Sequence, residues 1–372
     1  MTGGAEYALL RMLQRVPQWR ARLLLAPDGA PGVFVDLHPD VETAAVGVAQ
    51  KAGASSGGLR TTLTAAVRVL AQSVVVARHP LVRSADIVDA NTARAAVYGA
   101  LAVRATRARF VVHVRDIVDT EALGVFGYRA MTRLALPRAD GIVANSRATL
   151  DSVRPFLRAD ALAVVIPSAS GLGRSAGTER PPGPIRVGML ARIAPWKGQL
   201  LLLESFADAL GGSDAVLEFA GAPLFENEEF LAELKVRAAE LGLAGRVRFL
   251  GHVDHTTALL STWDVAVQAS LRAEALGQNV LQYLASGRAT VVTDEGGPIE
   301  WVRHRQNGLV VAARDRDALA AALAELAADA ALRARLGSTA AATPGLPDDA
   351  TVTQAHADFY RELLTRGSAR GR

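Results

Sequence analysis

The sequence predicts an α/β protein with two doubly wound, parallel sheets covered by helices. Three observations carry this. Short apolar runs rich in β-branched residues alternate with helical apolar spacing throughout. The chain has 372 residues, enough for two ordinary domains. A loop rich in Ser, Gly and Pro, residues 168–184, divides two series of such runs.

Strands are expected at 21–26, 32–36, 85–88, 110–114 and 141–144 in the first half, and at 185–190, 216–220, 247–250, 265–268 and 290–293 in the second. Residues 318–336, Ala- and Leu-rich with interspersed charges, read as one amphipathic helix. A last helix follows residues 344–349 and carries Phe359, Tyr360, Leu363 and Leu364. The resulting layout is a first domain over 1–170, a linker over 171–184, a second domain over 185–345 and a closing segment over 346–372.

Half of the residues are hydrophobic, which suits a folded chain rather than a disordered one. The net charge is +4, and the basic residues are almost all arginine, with lysine only at 51, 197 and 235. These charges are scattered and no basic run is interleaved with aromatics, so nucleic acid is not an expected partner. The absence of cysteine excludes disulfides, thiolate catalysis and thiolate metal sites. No apolar run is long enough for a transmembrane segment and no signal peptide is recognised, so a cytoplasmic location is expected. The first helix is basic (Arg11, Arg15, Arg20, Arg22); a solvated face accounts for this better than lipid contact.

The densest chemical signal is Ser270-Leu-Arg-Ala-Glu274-Ala-Leu-Gly277-Gln-Asn-Val-Leu-Gln282. Glu274 lies in a loop, and Gly277 opens a helix whose apolar stripe is Val280, Leu281 and Leu284, with Gly287 as its C-terminal cap. Gln278 and Gln282 lie one turn apart on the opposite face, with Asn279 between them. A helix start offers unpaired N–H groups and a positive dipole end to an anion, and glycine permits close approach. Upstream, Ile185-Arg-Val-Gly-Met-Leu-Ala-Arg192-Ile-Ala-Pro-Trp-Lys197-Gly198 is a strand, a loop and a helix start carrying two cations five residues apart. Alone, Arg192 and Lys197 would pass for a solvated pair at a turn. Within the ordered set they read as phosphate ligands.

Taken in order with Val247-Arg-Phe-Leu-Gly251-His252, Asp294-Glu-Gly296-Gly297 and Asn307-Gly308-Leu309, these motifs resemble the retaining GT-B glycosyltransferases, specifically glycosyltransferase family 4 (glycosyl transferases group 1). The resemblance covers nearly all of the C-terminal half. It implies two Rossmann-like domains facing a central cleft, with the final helix crossing back to the N-terminal domain. It also implies a metal-independent transferase with no cofactor, whose partners are a nucleoside-diphosphate sugar and a hydroxyl acceptor; peripheral membrane contact is compatible with it. By that resemblance Arg192 and Lys197 hold the diphosphate, Glu274 meets the transferred sugar, Gly251 and His252 lie near the base, and Gly277, Gln278, Asn279 and Gln282 line the donor. The family has Glu where this chain has Gln282. A neutral amide can accept from the ribose but gives up the charge.

In the first half, His113 ends the run Phe110-Val-Val-His113-Val-Arg115-Asp116, and the family often places a catalytic histidine near this point. Asn91, Asp116 and Asn145 lie after strand ends and are candidates for the acceptor side. Gly3 and Gly4 resemble the family's glycine loop, which follows a first strand; only Met1 and Thr2 precede it here, so that first N-terminal strand is missing and Met1 is expected not to be the natural start. A domain that manages without the strand is the alternative.

Asp315-Arg-Asp317 has the spacing of a metal motif but reads better as a helix cap. His252 and His255 lack the further ligands a zinc site needs. Other activities on this architecture, a nucleotide-sugar epimerase or a pseudo-glycosyltransferase, remain open, as does a non-catalytic nucleotide-sugar-binding partner.

Overall fold

The computed structural model describes all residues except 1–3, 15–17, 26, 28–33, 35–36, 48–58, 176–182, 224–226 and 369–372. The chain divides into two compact units, one formed by Met1–Ser168 with Asp349–Arg372, the other by Ala169–Asp348. The closing helix, Asp349–Ser368, therefore belongs to the first unit.

In the first unit the elements run α1 (Gly4–Gln14), β1 (Arg22–Leu25), β2 (Glu42–Ala45), α2 (Leu59–Arg78), α3 (Pro80–Arg83), β3 (Ile87–Ala90), α4 (Ala93–Ala102), β4 (Arg109–Val114), α5 (Thr120–Ala130), β5 (Gly141–Ala144), α6 (Arg147–Val153) and β6 (Leu162–Val165). All pairings are parallel: β1 with β2, and β3-β4-β5-β6 in that order. Of the strands expected here, 32–36 lies outside the described residues apart from Phe34. The strand expected at 85–88 falls two residues later, because the side chain of Asp89 is satisfied within the fold and need not end the run. β2 and β6 escape the pattern because an edge strand pairs on one side only and needs no continuous apolar run.

The pleat of β4 sends alternate side chains to opposite faces. Phe110, Val112 and Val114 join Ala96 and Ala100 of α4, Ile142 of β5 and Val153 of α6 in one core. His113 turns the other way, to the closing helix, where its ring stacks on His356 with centroids 5.2 Å apart. That helix places Phe359, Tyr360 and Leu363 in the interior as expected for a packing stripe, while Leu364 stays exposed. Tyr360 donates to Asp89, and His113 Nε2 stands 3.0 Å from the same carboxylate oxygen, off the line of a straight hydrogen bond. Burial by itself would raise the Asp89 carboxyl, but the His113 ring beside it and the hydroxyl of Tyr360 outweigh it and hold the group below its ordinary value.

The second unit contains β7 (Arg186–Leu190), α7 (Gln199–Leu210), β8 (Val216–Ala220), α8 (Glu228–Glu240), β9 (Val247–Gly251), α9 (Thr256–Ser261), β10 (Val265–Gln268), α10 (Gln278–Ala285), β11 (Ala289–Thr293), β12 (Leu309–Val311), α11 (Arg316–Ala328) and α12 (Ala330–Ala341). Its sheet is parallel, in the order β12-β11-β10-β7-β8-β9. The chain thus begins in the middle, winds outward through β8 and β9, and returns to the other side of β7 through β10. Helices cover both faces. Leu202, Leu203 and Phe206 of α7, Leu234 of α8 and Leu323 of α11 pack on one, and Val280, Leu281 and Leu284 of α10 on the other.

The helix expected as one piece over 318–336 is two. Asp329 leaves helical geometry and its carboxylate accepts from the Leu332 amide, capping α12. Asp315 caps α11 in the same way through the Ala318 amide. A buried carboxylate on β8, Glu218, collects donors from Arg186 (3.3 Å), Arg248 (3.1 Å) and the Trp263 indole (2.9 Å), so the charge is fully partnered inside the sheet.

The His356 ring carries a testable consequence. Its Nδ1 lies 2.7 Å from the Val352 carbonyl, while Nε2 is buried without a partner. Burial, with a smaller contribution from His113, pushes its pKa from 6.5 down to about 3. Above 6.5 the group is neutral folded or unfolded and contributes no pH dependence. Below it the unfolded chain takes up a proton the native state refuses, so stability falls with decreasing pH by up to about 1.4 kcal/mol per unit until native His356 also protonates. Asp89 adds its own acid sensitivity only below its unfolded value of 3.8. Denaturant melts of wild type and His356→Leu between pH 7 and 4 should therefore differ in slope, the wild type losing stability more steeply as the pH falls and the variant having the flatter profile. Parallel profiles would show that His356 is not the titrating group.

Candidate active site

In the second unit the winding direction reverses between β7 and β10, and open α/β sheets bind ligands at the carboxyl ends of the strands flanking such a reversal. The loop after β7 holds Arg192 and Lys197; the loop after β10 holds Ser270 and Glu274. They are stitched together by backbone, with Leu271 N–H donating to the Trp196 carbonyl at 2.8 Å. Gly198 makes the approach possible. It has φ +80°, and a Cβ there would stand 1.9 Å from the Ala269 carbonyl oxygen.

Lys197 Nζ donates to Glu274 Oε1 at 2.8 Å, with both side chains largely out of water, at 13% and 9% exposure. The same oxygen also accepts from Ser270 Oγ and, at 3.4 Å, from Gln268 Nε2. Burial would raise the Glu274 carboxyl, but Lys197 and the hydrogen bonds from Lys197, Ser270 and Gln268 win and hold it below its usual range. All three donors meet Oε1. Among the described residues Oε2 has no hydrogen-bond partner, so one acceptor of an ionised, fixed carboxylate is left for something else. Gln268 is itself fixed by Thr293, whose amide and hydroxyl both donate to its Oε1 at 3.1 Å.

Positive charge is abundant at this edge. The Trp196 ring carries the Lys197 ammonium and the Arg272 guanidinium, each 4.1 Å from its centroid. The Arg192 side chain is exposed and has no hydrogen-bond or ion-pair partner among the described residues. Gly277, in the left-handed region at φ +71°, is the N-cap of α10 and has no side chain to cap it; the Val280 amide is taken by Asn279 Oδ1 at 3.0 Å, and the Gln278 and Asn279 amides before it have no hydrogen-bond partner among the described residues. Glu274 O accepts from Gly297 N–H at 2.8 Å, tying the Gly296-Gly297 turn to the same loop. Arg192, Lys197, Glu274 and the Gly277 helix start are thus brought to one sheet edge.

Gln278 Nε2 donates to the Ala169 carbonyl at 2.6 Å and Gln282 Nε2 to the Ser170 carbonyl at 3.3 Å, so both amides hold the segment that enters this unit. Asn279 donates to the Tyr283 hydroxyl at 3.3 Å. Gly251 ends β9 on the same sheet edge with φ +67°, and His252 beside it is exposed and lies 3.2 Å from Asp254. Sequence reasoning passed over Gln268, Ser270 and Thr293. For Gln268 and Thr293 the signal was available, since each is the polar last residue of a buried parallel strand.

In the first unit His113, Asn91 and Asn145 converge on Arg115. His113 is 3% exposed. Arg115 Nη2 lies 3.1 Å from His113 Nδ1, and because a guanidinium cannot accept, Nδ1 must, leaving the ring proton on Nε2 towards Asp89. Arg115 also donates to Asn91 Oδ1 at 2.9 Å and Ser168 Oγ at 3.0 Å, and its carbonyl accepts from Asn145 Nδ2 at 3.0 Å. The candidate acceptor-side amides are therefore occupied inside the unit. Asp116 is exposed. Gly4 is the first residue of α1, and Gly3 lies outside the described residues. Among the described residues no group of three His, Cys, Asp or Glu side chains could hold a metal ion, and no helix is long and apolar enough to cross a membrane.

Residues 175–343 match the family described as "Glycosyl transferases group 1". The chain is 40% identical over 99 residues to the lipopolysaccharide core biosynthesis glycosyltransferase LpsE of Rhizobium meliloti, covering 27% of this chain and 29% of that protein. It is 31% identical over 160 residues to the mannosyltransferase LpcC of Rhizobium leguminosarum, covering 43% and 45%. The matches thus span less than half the length of these relatives. Among solved structures, HepE of Anabaena in complex with UDP superposes with a TM-score of 0.80 at 24% identity, over 97% of each chain. At that identity the likeness establishes the fold, two Rossmann-like domains of GT-B type.

The close approach at Gly198 yields a stability prediction. Gly198→Ala should cost about 2 to 4 kcal/mol, from strain at a positive φ and from the collision with Ala269. Gly212→Ala, where a Cβ meets nothing within 4 Å, serves as control and should be nearly neutral. Equal melting temperatures for the two variants would contradict the packing described.

Proposed function

We propose that the chain is a retaining glycosyltransferase of family 4, transferring a sugar from a nucleoside-diphosphate sugar to a hydroxyl acceptor without metal or further cofactor. The observation that carries this is the buried Lys197–Glu274 pair at the reversal point of the sheet, beside an uncapped helix start and an unpartnered Arg192. The UDP bound by the structurally similar HepE makes a uridine donor the first to test.

In the proposed reaction the bond between the anomeric carbon and the diphosphate oxygen breaks, and its electron pair leaves with the nucleoside diphosphate. The acceptor oxygen bonds the same face of that carbon, and its proton passes to a phosphate oxygen. Negative charge grows on the leaving group as this proceeds. Arg192, Lys197 and the Gln278 and Asn279 amides at the start of α10 supply fixed positive charge to stabilise it. Glu274 Oε2 accepts from hydroxyls of the transferred sugar, while Oε1 stays with Lys197, Ser270 and Gln268. Gln282, amide-bound to Ser170, offers its remaining carbonyl oxygen to the ribose, and Gly251 and His252 border the base. Enclosed as it is, His113 serves here as a positioning residue for Asp89 and Arg115.

Arg192 gives the cleanest test, since removing an exposed, unpartnered side chain should leave folding intact. UDP at a hundred times its Kd should stabilise the wild type by about 2.7 kcal/mol in a thermal-shift assay run against GDP and ADP. Arg192→Ala should keep the unliganded melting temperature and bind the preferred nucleotide about 10- to 100-fold more weakly, the range for hydrogen bonds to a charged group. Transfer activity should survive a chelator and give a product with the donor's anomeric configuration. No shift with any nucleotide, or a product of inverted configuration, would overturn the proposal.

A further inference from the structure

α7 buries Gln199, Leu202, Leu203, Phe206 and Leu210 along one stripe, at the spacing of a helix packed on a sheet. Four of these are apolar. The exception, Gln199, is fully buried, and its two polar atoms fare differently. Nε2 donates to the Arg192 carbonyl at 2.7 Å, while Oε1 has no hydrogen-bond partner among the described residues. A buried amide oxygen left unmatched is unfavourable and offsets much of what the Nε2 bond contributes. For packing alone Gln199 is a poor choice, since methionine would fill the stripe without an orphaned oxygen. Its one polar contribution goes to the backbone of Arg192.

That backbone is held from another side as well. Ala191 N–H donates to the Ala220 carbonyl at 2.9 Å and Ile193 N–H to the Ala222 carbonyl at 3.2 Å, sewing the neighbours of Arg192 to the end of β8 and the residues after it. Gly221 permits the approach, for it has φ +143° and a Cβ there would stand 2.0 Å from the Ala191 carbonyl oxygen. Ile193 is buried in the same core as Leu202 and Leu203. The Arg192 side chain, by contrast, is exposed and unpartnered among the described residues. Three hydrogen bonds thus fix the backbone around a guanidinium that none holds.

The Gln199 bond also closes a short loop that carries both cations, Arg192 at its start and Lys197 near its end. It therefore limits how far the two can separate. A long side chain that meets an anion loses rotamer freedom, and a mobile backbone beneath it would add to that loss. Fixing the backbone beforehand removes the second part of the cost.

We propose that Gln199 is a positioning residue for the anion site: by tying the Arg192 carbonyl to the start of α7, it holds Arg192 ready for a diphosphate beside Lys197 before any ligand arrives. The assignment rests on the donor-site reading given above. The test is a double-mutant cycle, with the Kd of UDP, GDP and ADP measured by calorimetry for wild type, Gln199→Met, Arg192→Ala and the combined variant. Gln199→Met should weaken the preferred nucleotide about three- to tenfold, the range for one hydrogen bond. With Arg192→Ala already in place, the same change should cost less than about twofold. A residue that only packs α7 would lower affinity equally in both backgrounds, and that result would overturn the assignment. Should Gln199→Met fold poorly, hydrogen exchange of the wild type decides. The Ala191 and Ile193 amides should exchange as slowly as that of Leu202 in the free protein, and fast exchange that slows only with nucleotide would overturn a preformed loop. Wild type that binds none of the three nucleotides would overturn the donor-site reading and this assignment with it, whereas normal binding with equal losses would overturn this assignment alone.

Discussion

A lysine and a glutamate removed from water together hold the candidate site of the second unit in shape. Lys197 comes from the loop after β7 and Glu274 from the loop after β10, and their contact closes the gap where the sheet changes direction. Burying either charge alone would cost several kcal/mol, so each loop conformation is stable only in the presence of the other. The contacts at Gly198 and from Leu271 to Trp196 bring the two backbones close enough for the pair to form. Ser270, Gln268 and Thr293 then fix the carboxylate from the opposite side. The result is a carboxylate with one oxygen fully committed and the other available, a preorganised acceptor rather than a mobile surface group.

The first unit solves a similar problem with a different outcome. Asp89, His113, Arg115, His356 and Tyr360 form a buried polar cluster at the strand ends, where Arg115 and Asp89 are taken up by their neighbours and the Nε2 atoms of both histidines are left without a hydrogen bond. Arg115 is the centre, reaching His113, Asn91 and Ser168 with separate nitrogens. The burial that makes this cluster selective for one protonation pattern also makes it acid-sensitive, because His356 has no partner for a second proton. Two polar strand-end clusters on similar sheets thus differ in what they leave over. One keeps an open oxygen and an unpaired guanidinium, whereas the other is closed upon itself.

Much of the architecture was legible because parallel strands buried on both faces demand mainly apolar runs, as in 110–114, 216–220 and 265–268, each with a single polar residue. Edge strands β2, β6 and β12 are under no such demand and left no comparable trace. The break at Asp329 was hidden for a related reason: alanine and leucine continue on both sides, and only the carboxylate's bond to Leu332 reveals the cap. At the candidate site, Arg192, Lys197, Glu274 and Gly277 stood out in the sequence by their residue types and order, and the fold brings them to one sheet edge. Gln268, Ser270 and Thr293 were not singled out, since their importance comes from contacts between strands distant in sequence.

The sequence by itself determined the alternation of strands and helices, the order of the charged motifs and the glycines that open α7 and α10, because apolar periodicity and backbone sterics act over a few residues. Tertiary structure alone decided which polar groups are consumed. Gln278 and Gln282 donate to carbonyls of 169 and 170, His113 is enclosed by Arg115 and Asp89, and Arg192 is left unpartnered. The physical reason is that a hydrogen bond is set by distance and direction between two groups, and in this fold those groups come from segments 112 residues apart for Gln282 and Ser170 and 271 apart for Tyr360 and Asp89.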